Sequence, residues 1–304
     1  MENGILSHKS HSLAVIQDKT TMNIFESFWE PVQEIQDASW TETALLKMST
    51  MGSTFRGAFV EMDELTPLTR NILVVSAMVL YYKAAIEMAC FLRINFSEIG
   101  LPTTLARNFL HCSFSFSILF WPCLDTSDGW SWMLSALLPA VVLARLVYKG
   151  VVVRDASDPD VQNLALSGSP SDLLLGPLIS MGIFVWLTLY QFMTEEAAII
   201  AATSFGDGCA PLVGSMYGRH FYSLPVSHTK TVEGSVVGVF LGTVIACYFN
   251  LYVMGLELLP LRMILAYGGI AAVAEGSAPG NLDNLIIPLV LHFGMETVER
   301  VLPG

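Results

Sequence analysis

The chain has 304 residues, of which 53% are hydrophobic and only 14% charged, with a formal net charge of −12. Soluble proteins carry about 25% charged residues, so this composition excludes an ordinary soluble domain and points to several membrane spans. Five scattered cysteines with no CxxC pair exclude a disulfide framework or zinc site, and no basic–aromatic patch suggests nucleic acid as a partner.

Residues 1–60 contain no strong apolar core followed by a cleavage site of the kind a signal peptide needs. Their acids, Glu2, Asp18, Glu26 and Glu30, do not suit a transit peptide. A soluble, partly disordered N-terminal tail is predicted over 1–70, followed by a multi-span membrane domain over 71–304. A span needs about 20 mainly apolar residues. The segments 71–92, 108–124, 130–148, 173–194, 197–217, 234–255 and 259–275 qualify, and 285–302 adds another. The expected fold is therefore all-α, a polytopic integral membrane protein with about 7–8 transmembrane helices. In the first span Lys83 and Glu87 lie four apart on one helix face, which predicts an intramembrane ion pair. A very tight turn at Glu195-Glu196 is needed between two of the spans.

Alternating these spans puts 93–107, 149–172, 218–233 and 276–284 on one side of the membrane, together with most of the unusual polar residues. Arg107 and His111 are four apart at that boundary. The stretch 167-SGSPSDLLLGPL-178 is a loop entering a helix, with Asp172 as an N-cap or as part of a nucleotide-contacting lid. Further on, Asp207 stands between Gly206 and Gly208 inside an apolar run. An ionised carboxylate costs several kcal/mol at such a depth, and glycines let backbone approach a ligand and expose amides to an anion. In HTKTVEGS, Thr231 and Glu233 fit the start of a helix, while Lys230 offers a point charge for phosphate. Finally 274-AEGSAPGNLDNLIIP-288 ends one span at Glu275 and opens the next with Asp283 and Asn284. A Mg²⁺–nucleotide site needs one or two carboxylates plus phosphate oxygens, and Asp207, Asp283 and Lys230 on one side supply that chemistry. No P-loop, GxGxxG, HExxH or GxSxG occurs.

In collinear order, LARNFLHCSFSFSILFWP, LLPAVVLARLVYKG, SGSPSDLLLGPL, GDGCAPLVGSMYG, KTVEGS and LDNLIIPL resemble the phytol kinase family over about residues 104–303. These are polytopic enzymes related to farnesol kinase, dolichol kinase and the CTP-using diacylglycerol kinases. The resemblance implies transfer of a phosphoryl group from a nucleoside triphosphate, typically CTP, to a long-chain isoprenoid alcohol, with Mg²⁺ as cofactor. Carried over, it implies Asp207 and Asp283 as metal ligands and Lys230 and Glu233 in the lysine-to-glycine motif. Arg107, Gly206, Gly208, Asp172 and Asn284 fall to the nucleotide, and His111 or Glu275 to the acceptor's proton. A chloroplast membrane is implied for a phytol kinase, the endoplasmic reticulum otherwise. The chain departs from the pattern at Asn108, Pro211, Thr229 and Leu282, where the family carries charged residues, and these departures bear on acceptor choice and metal affinity. Competing readings are dolichol kinase, diacylglycerol kinase or cytidylyl transfer at the same CTP site, and an ion transporter or channel using Asp207, Glu275 and Asp283.

Overall fold

The computed structural model describes residues 65–98, 104–165, 167–224, 229–279 and 282–302. All belong to one compact unit, Met51–Gly304. The anticipated tail lies outside the described residues up to residue 64, and residues 67–70 already belong to the first helix.

Helix α1 (Pro67–Glu98) starts with proline at its first position, where no N–H is needed. Helix α2 (Thr104–Ser115) continues as a 3₁₀ helix over Phe116–Cys123. The two segments run antiparallel along their whole length. At one end Arg70 Nε donates to the Cys123 carbonyl at 2.7 Å and Asn71 exchanges hydrogen bonds with the Asp125 backbone. At the other end Arg93 reaches Gln162 at 2.9 Å.

Helix α3 (Leu137–Val147) is entered by a 3₁₀ turn (Ser131–Ala136) and left by a π turn (Tyr148–Val153). The short α4 (Pro159–Leu164) is capped by Asp158 and tied to α3 by Arg145–Asp160 at 2.6 Å and Lys149–Asp158 at 2.6 Å. Helix α5 (Gly176–Tyr190) leads into α6 (Glu195–Tyr217), which is capped by Thr194. The turn between them occupies Gln191–Thr194, with Met193 at φ +59°. Glu195 and Glu196, expected in that turn, instead form the first turn of α6, where acids suit the helix dipole. A small antiparallel hairpin, β1 (Phe221–Tyr222) with β2 (Lys230–Thr231), precedes a π stretch over Gly234–Leu241 that becomes α7 (Gly242–Met254). Helices α8 (Leu261–Ser277) and α9 (Asp283–Val301) close the described chain.

Helix α6 runs through the core: Ala197–Ala202 are fully buried. It meets the π stretch and α7 along a seam of small residues. A side chain on Gly238 would strike the Ala210 backbone at 2.5–2.7 Å, one on Gly242 would lie 3.1 Å from the Gly206 Cα, and one on Gly234 would meet the Ala210 carbonyl and Gly214. Gly206, Ala210 and Gly214 recur every four residues, as do Gly234, Gly238 and Gly242, the spacing that lets helix backbones approach in lipid.

Among the described residues, five helices are long and apolar enough to cross a membrane: Pro67–Asn95, Ser131–Val153, Pro170–Tyr190, Glu195–Tyr217 and Gly234–Met254. The expected segments 108–124, 259–275 and 285–302 do not meet that test. Their helices are too short or, in α9, interrupted by Asp283, Glu296, Glu299 and Arg300. The ion pair expected between Lys83 and Glu87 is absent among the described residues. Both side chains are exposed beside the apolar groove between α1 and α3.

Candidate functional site

Asp207 sits in the middle of an unbroken α6, with Pro211 one turn later. The glycines on either side of it are contact points. A Cβ on Gly206 would meet Thr243 Oγ1 and the Val239 carbonyl, and one on Gly208 would meet Cys112 Sγ at 2.6 Å and the Asn108 carbonyl at 3.1 Å. Gly206 thus lets α7 close on α6, and Gly208 lets α2 close from the other side. Their amides lie within the helix, and Gly208 also lines the cavity that Asp207 faces.

The carboxylate of Asp207 faces a cavity of ≈ 310 Å³ that gathers residues from five segments. Helix α2 contributes Arg107 and His111, the hairpin Lys230, the end of α8 Glu275, and the start of α9 Asp283 and Asn284. His111 Nε2 lies 3.6 Å from Asp207 Oδ2, with 18% and 15% of the two side chains exposed. Asp283 Oδ1 accepts the backbone N–H of Asn284 at 2.9 Å. Arg107 and Asn284 come together over Gly176, the first residue of α5, whose Cβ position lies 3.8 Å from Arg107 Nη2 and 3.4 Å from Asn284 Nδ2.

Lys230 is already engaged. Its ammonium donates to Glu275 Oε1 and to the Glu275 carbonyl, each at 2.5 Å. Ser235 adds a hydrogen bond to Glu275 Oε2 at 3.2 Å, and Tyr222 of the hairpin bonds Ser235 at 2.6 Å. This makes Glu275 a buried anchor for Lys230. Ser235 and Tyr222 were not singled out from the sequence; a serine directly after KTVEG was the available signal.

With Glu275 matched by Lys230, the cavity retains Asp207 and Asp283 against Arg107 and His111. Two carboxylates facing one cavity repel each other, and a divalent cation relieves that repulsion. Among the described residues no group of three or more His, Cys, Asp or Glu side chains is arranged to hold a metal alone. The donor set instead fits Mg²⁺, which uses one or two carboxylates and completes its shell with water and substrate phosphate.

Two other predicted site residues lie elsewhere. Glu233 accepts from the His220 backbone at 3.3 Å and from its ring Nδ1 at 2.6 Å, pinning the hairpin to the next helix. That ring contact holds the Glu233 carboxyl down at about 2. Thr231 next to it accepts from Gly234 N at 3.1 Å, as expected of a helix cap. Asp172 accepts from the Ser167 backbone and hydroxyl at 2.6 and 2.8 Å and shapes its own loop. Neither lines the cavity.

Two apolar spaces adjoin the polar one. A narrow crevice between α1, α2, α3 and α5 shares Arg107, His111 and Asn284 with it. A wider groove of ≈ 620 Å³ between α1, α2 and α6 shares Asn108 and Gly208.

Comparison with known proteins gives a family match and several relatives. Residues 55–278 match the model of the cytidylyltransferase family. The chain is 28% identical over 181 residues to a probable chloroplastic phytol kinase 2 of Oryza sativa subsp. japonica, covering 57% of this chain and 58% of that protein. It is 28% identical over 164 residues to the phytol kinase of Synechocystis sp., covering 52% and 68%. Against a probable chloroplastic phytol kinase of Zea mays the identity is 26%, over 56% of this chain and 58% of that protein. The chain thus spans a little over half the length of the rice and maize relatives it matches. No solved structure matches it.

Proposed function

Since the chain belongs to the cytidylyltransferase family, beside its phytol kinase members, we propose that it is a membrane lipid kinase. It transfers the γ-phosphoryl group of CTP to the hydroxyl of a long-chain isoprenoid alcohol such as phytol. The observation that carries this reading is the single cavity in which Asp207, Asp283, Arg107, His111 and Lys230 meet, bordered by apolar space.

Phosphoryl transfer is mostly positioning and charge neutralisation. Asp207 and Asp283 would hold Mg²⁺, which would supply positive charge against the triphosphate. Arg107, with Asn284 beside it, presents a fork of donors to phosphate oxygens. Lys230, fixed by Glu275, adds a compact charge at the opposite wall. The acceptor oxygen forms a bond to the γ-phosphorus as the bond to the bridging oxygen breaks, leaving CDP. His111 takes the hydroxyl proton at Nε2, because Glu275 is occupied by Lys230 and Ser235.

The family name favours one alternative, cytidylyl transfer, in which the lipid attacks the α-phosphorus and pyrophosphate leaves. The two are separated by purified protein with CTP labelled at the α or γ position and a panel of phytol, geranylgeraniol, farnesol, dolichol and diacylglycerol. Our reading expects γ-label on an isoprenoid alcohol and CDP as co-product; α-label on lipid with release of pyrophosphate would overturn it. We also read Thr104–Cys123, α8 and α9 as crossing segments, because each runs between the cavity end and the far end of the bundle. A chloroplast membrane is the proposed location, by analogy with the plant relatives.

A further inference from the structure

We propose that the acceptor's isoprenoid tail lies in the groove between α1, α2 and α6, with Asn108 at its mouth. This rests on the lipid-kinase reading above and names where that reading's acceptor binds. The groove has ≈ 620 Å³ and is lined by Ala84, Met88, Phe109, Phe116, Phe205 and Leu212 among others. That is within the range of about 300–1,000 Å³ typical of small-molecule sites. It shares Asn108 and Gly208 with the polar cavity, so a chain in the groove ends beside the cavity that Asp207 faces.

The lining from Leu105 to Phe116 covers about 16 Å of helix axis at 1.5 Å per residue, room for much of an extended isoprenoid. The far end is aromatic: the Phe116 and Phe205 rings are 5.2 Å apart, and Tyr81 ties α1 to α2 by donating to the Ser113 carbonyl at 2.7 Å. The competing crevice is narrow, and its junction with the cavity is held by Arg107, His111 and Asn284, which the donor phosphates and the proton transfer require. Asn108 bears on specificity. A neutral amide at the mouth can hydrogen-bond the hydroxyl of an alcohol.

Ala84 is exposed on α1, so a larger side chain there fills the groove without overpacking the core. In Ala84→Trp and Met88→Trp, kcat/KM for geranylgeraniol should fall about tenfold or more. The KM for CTP and the activity on a five-carbon isoprenoid alcohol should stay unchanged. A second measurement does not depend on turnover. A diazirine analogue of geranylgeraniol, photolysed with the wild-type protein, should label peptides of α1 and α2 within 84–116. Excess geranylgeraniol should compete the label away; phosphatidylcholine should not.

Labelling of α5 around Pro177–Phe184 would move the tail to the crevice and overturn the proposal. So would labelling lost to phosphatidylcholine alone, which marks an ordinary lipid contact, or unchanged chain-length preference in both variants. Competed groove labelling without any phosphoryl transfer would uphold the groove and sink the kinase reading. Transfer with no groove labelling would do the reverse.

Discussion

Removing Lys230 strands a carboxylate. Glu275 is only 6% exposed, and its charge is balanced by the Lys230 ammonium at 2.5 Å. Breaking a buried pair from one side typically costs about 3–5 kcal/mol. Lys230→Ala should therefore lower the melting temperature in detergent as well as turnover. The paired replacement Lys230→Met with Glu275→Leu should restore most of the stability and none of the activity. A Lys230→Ala protein that melts with the wild type would show that the pair does not hold the hairpin to α8. Glu233 makes the opposite case. Its carboxyl is held at about 2 by the His220 ring, below the ordinary 4.5. A carboxyl depressed by folding stabilises fully above its unfolded value, and that contribution disappears as pH falls from 4.5 through 2. Glu233→Gln should keep full turnover at neutral pH. Its melting-temperature gap from the wild type should close over that acid range. A gap independent of pH would mean the hydrogen bond contributes nothing.

At the scale of elements, α6 and the π–α7 segment meet backbone to backbone. Gly238→Ala puts a methyl 2.5–2.7 Å from the Ala210 backbone, which neither helix can yield cheaply, and should destabilise by about 1–3 kcal/mol. Gly269, in the middle of α8, has nothing within 4 Å of its missing side chain. Gly269→Ala should be neutral or stabilising by up to about 1 kcal/mol, the helix propensity difference. Thermal unfolding of the two variants side by side checks the seam; equal effects would contradict it. The four-residue spacing of Gly206, Ala210 and Gly214, matched by Gly234, Gly238 and Gly242, was open to view in the chain. It was obscured because a glycine beside an aspartate reads equally well as ligand-binding backbone, and only the partner helix decides between the two. The Lys83–Glu87 pair failed for a related reason. Helical spacing gives a shared face but not the rotamers that bring two charges together, and each side chain lies exposed.

For the whole molecule, the legible part was the gathering of polar motifs. Arg107, His111, Asp207, Lys230, Glu275, Asp283 and Asn284 lie far apart in sequence and line one cavity, as alternating spans required of residues on a common side. Asp172 and Glu233 share that side yet turn to local partners, because a loop or cap carboxylate finds backbone and side-chain donors within a few residues. The span count was less legible. Among the described residues five helices pass on length and composition, and the further crossings proposed above rest on where segment ends meet. In a protein whose five native cysteines are replaced, Ser157→Cys, His220→Cys and Ser277→Cys should all react with an impermeant reagent from the same side. Ser277→Cys labelled from the opposite side would remove α8 as a crossing.

If these segments converge to perform phosphoryl transfer, Asp207 serves chemistry rather than packing. The direct measurement is transfer of γ-label from CTP to geranylgeraniol, set beside thermal unfolding, in the wild type and in Asp207→Asn. The substitution keeps size and hydrogen bonding but removes the charge a metal–triphosphate needs. Transfer should fall by about 10²–10³-fold, while the melting temperature holds or rises because a buried like-charge repulsion is relieved. Near-normal transfer in Asp207→Asn, or a loss of folding that accounts for the whole loss of transfer, would contradict the account.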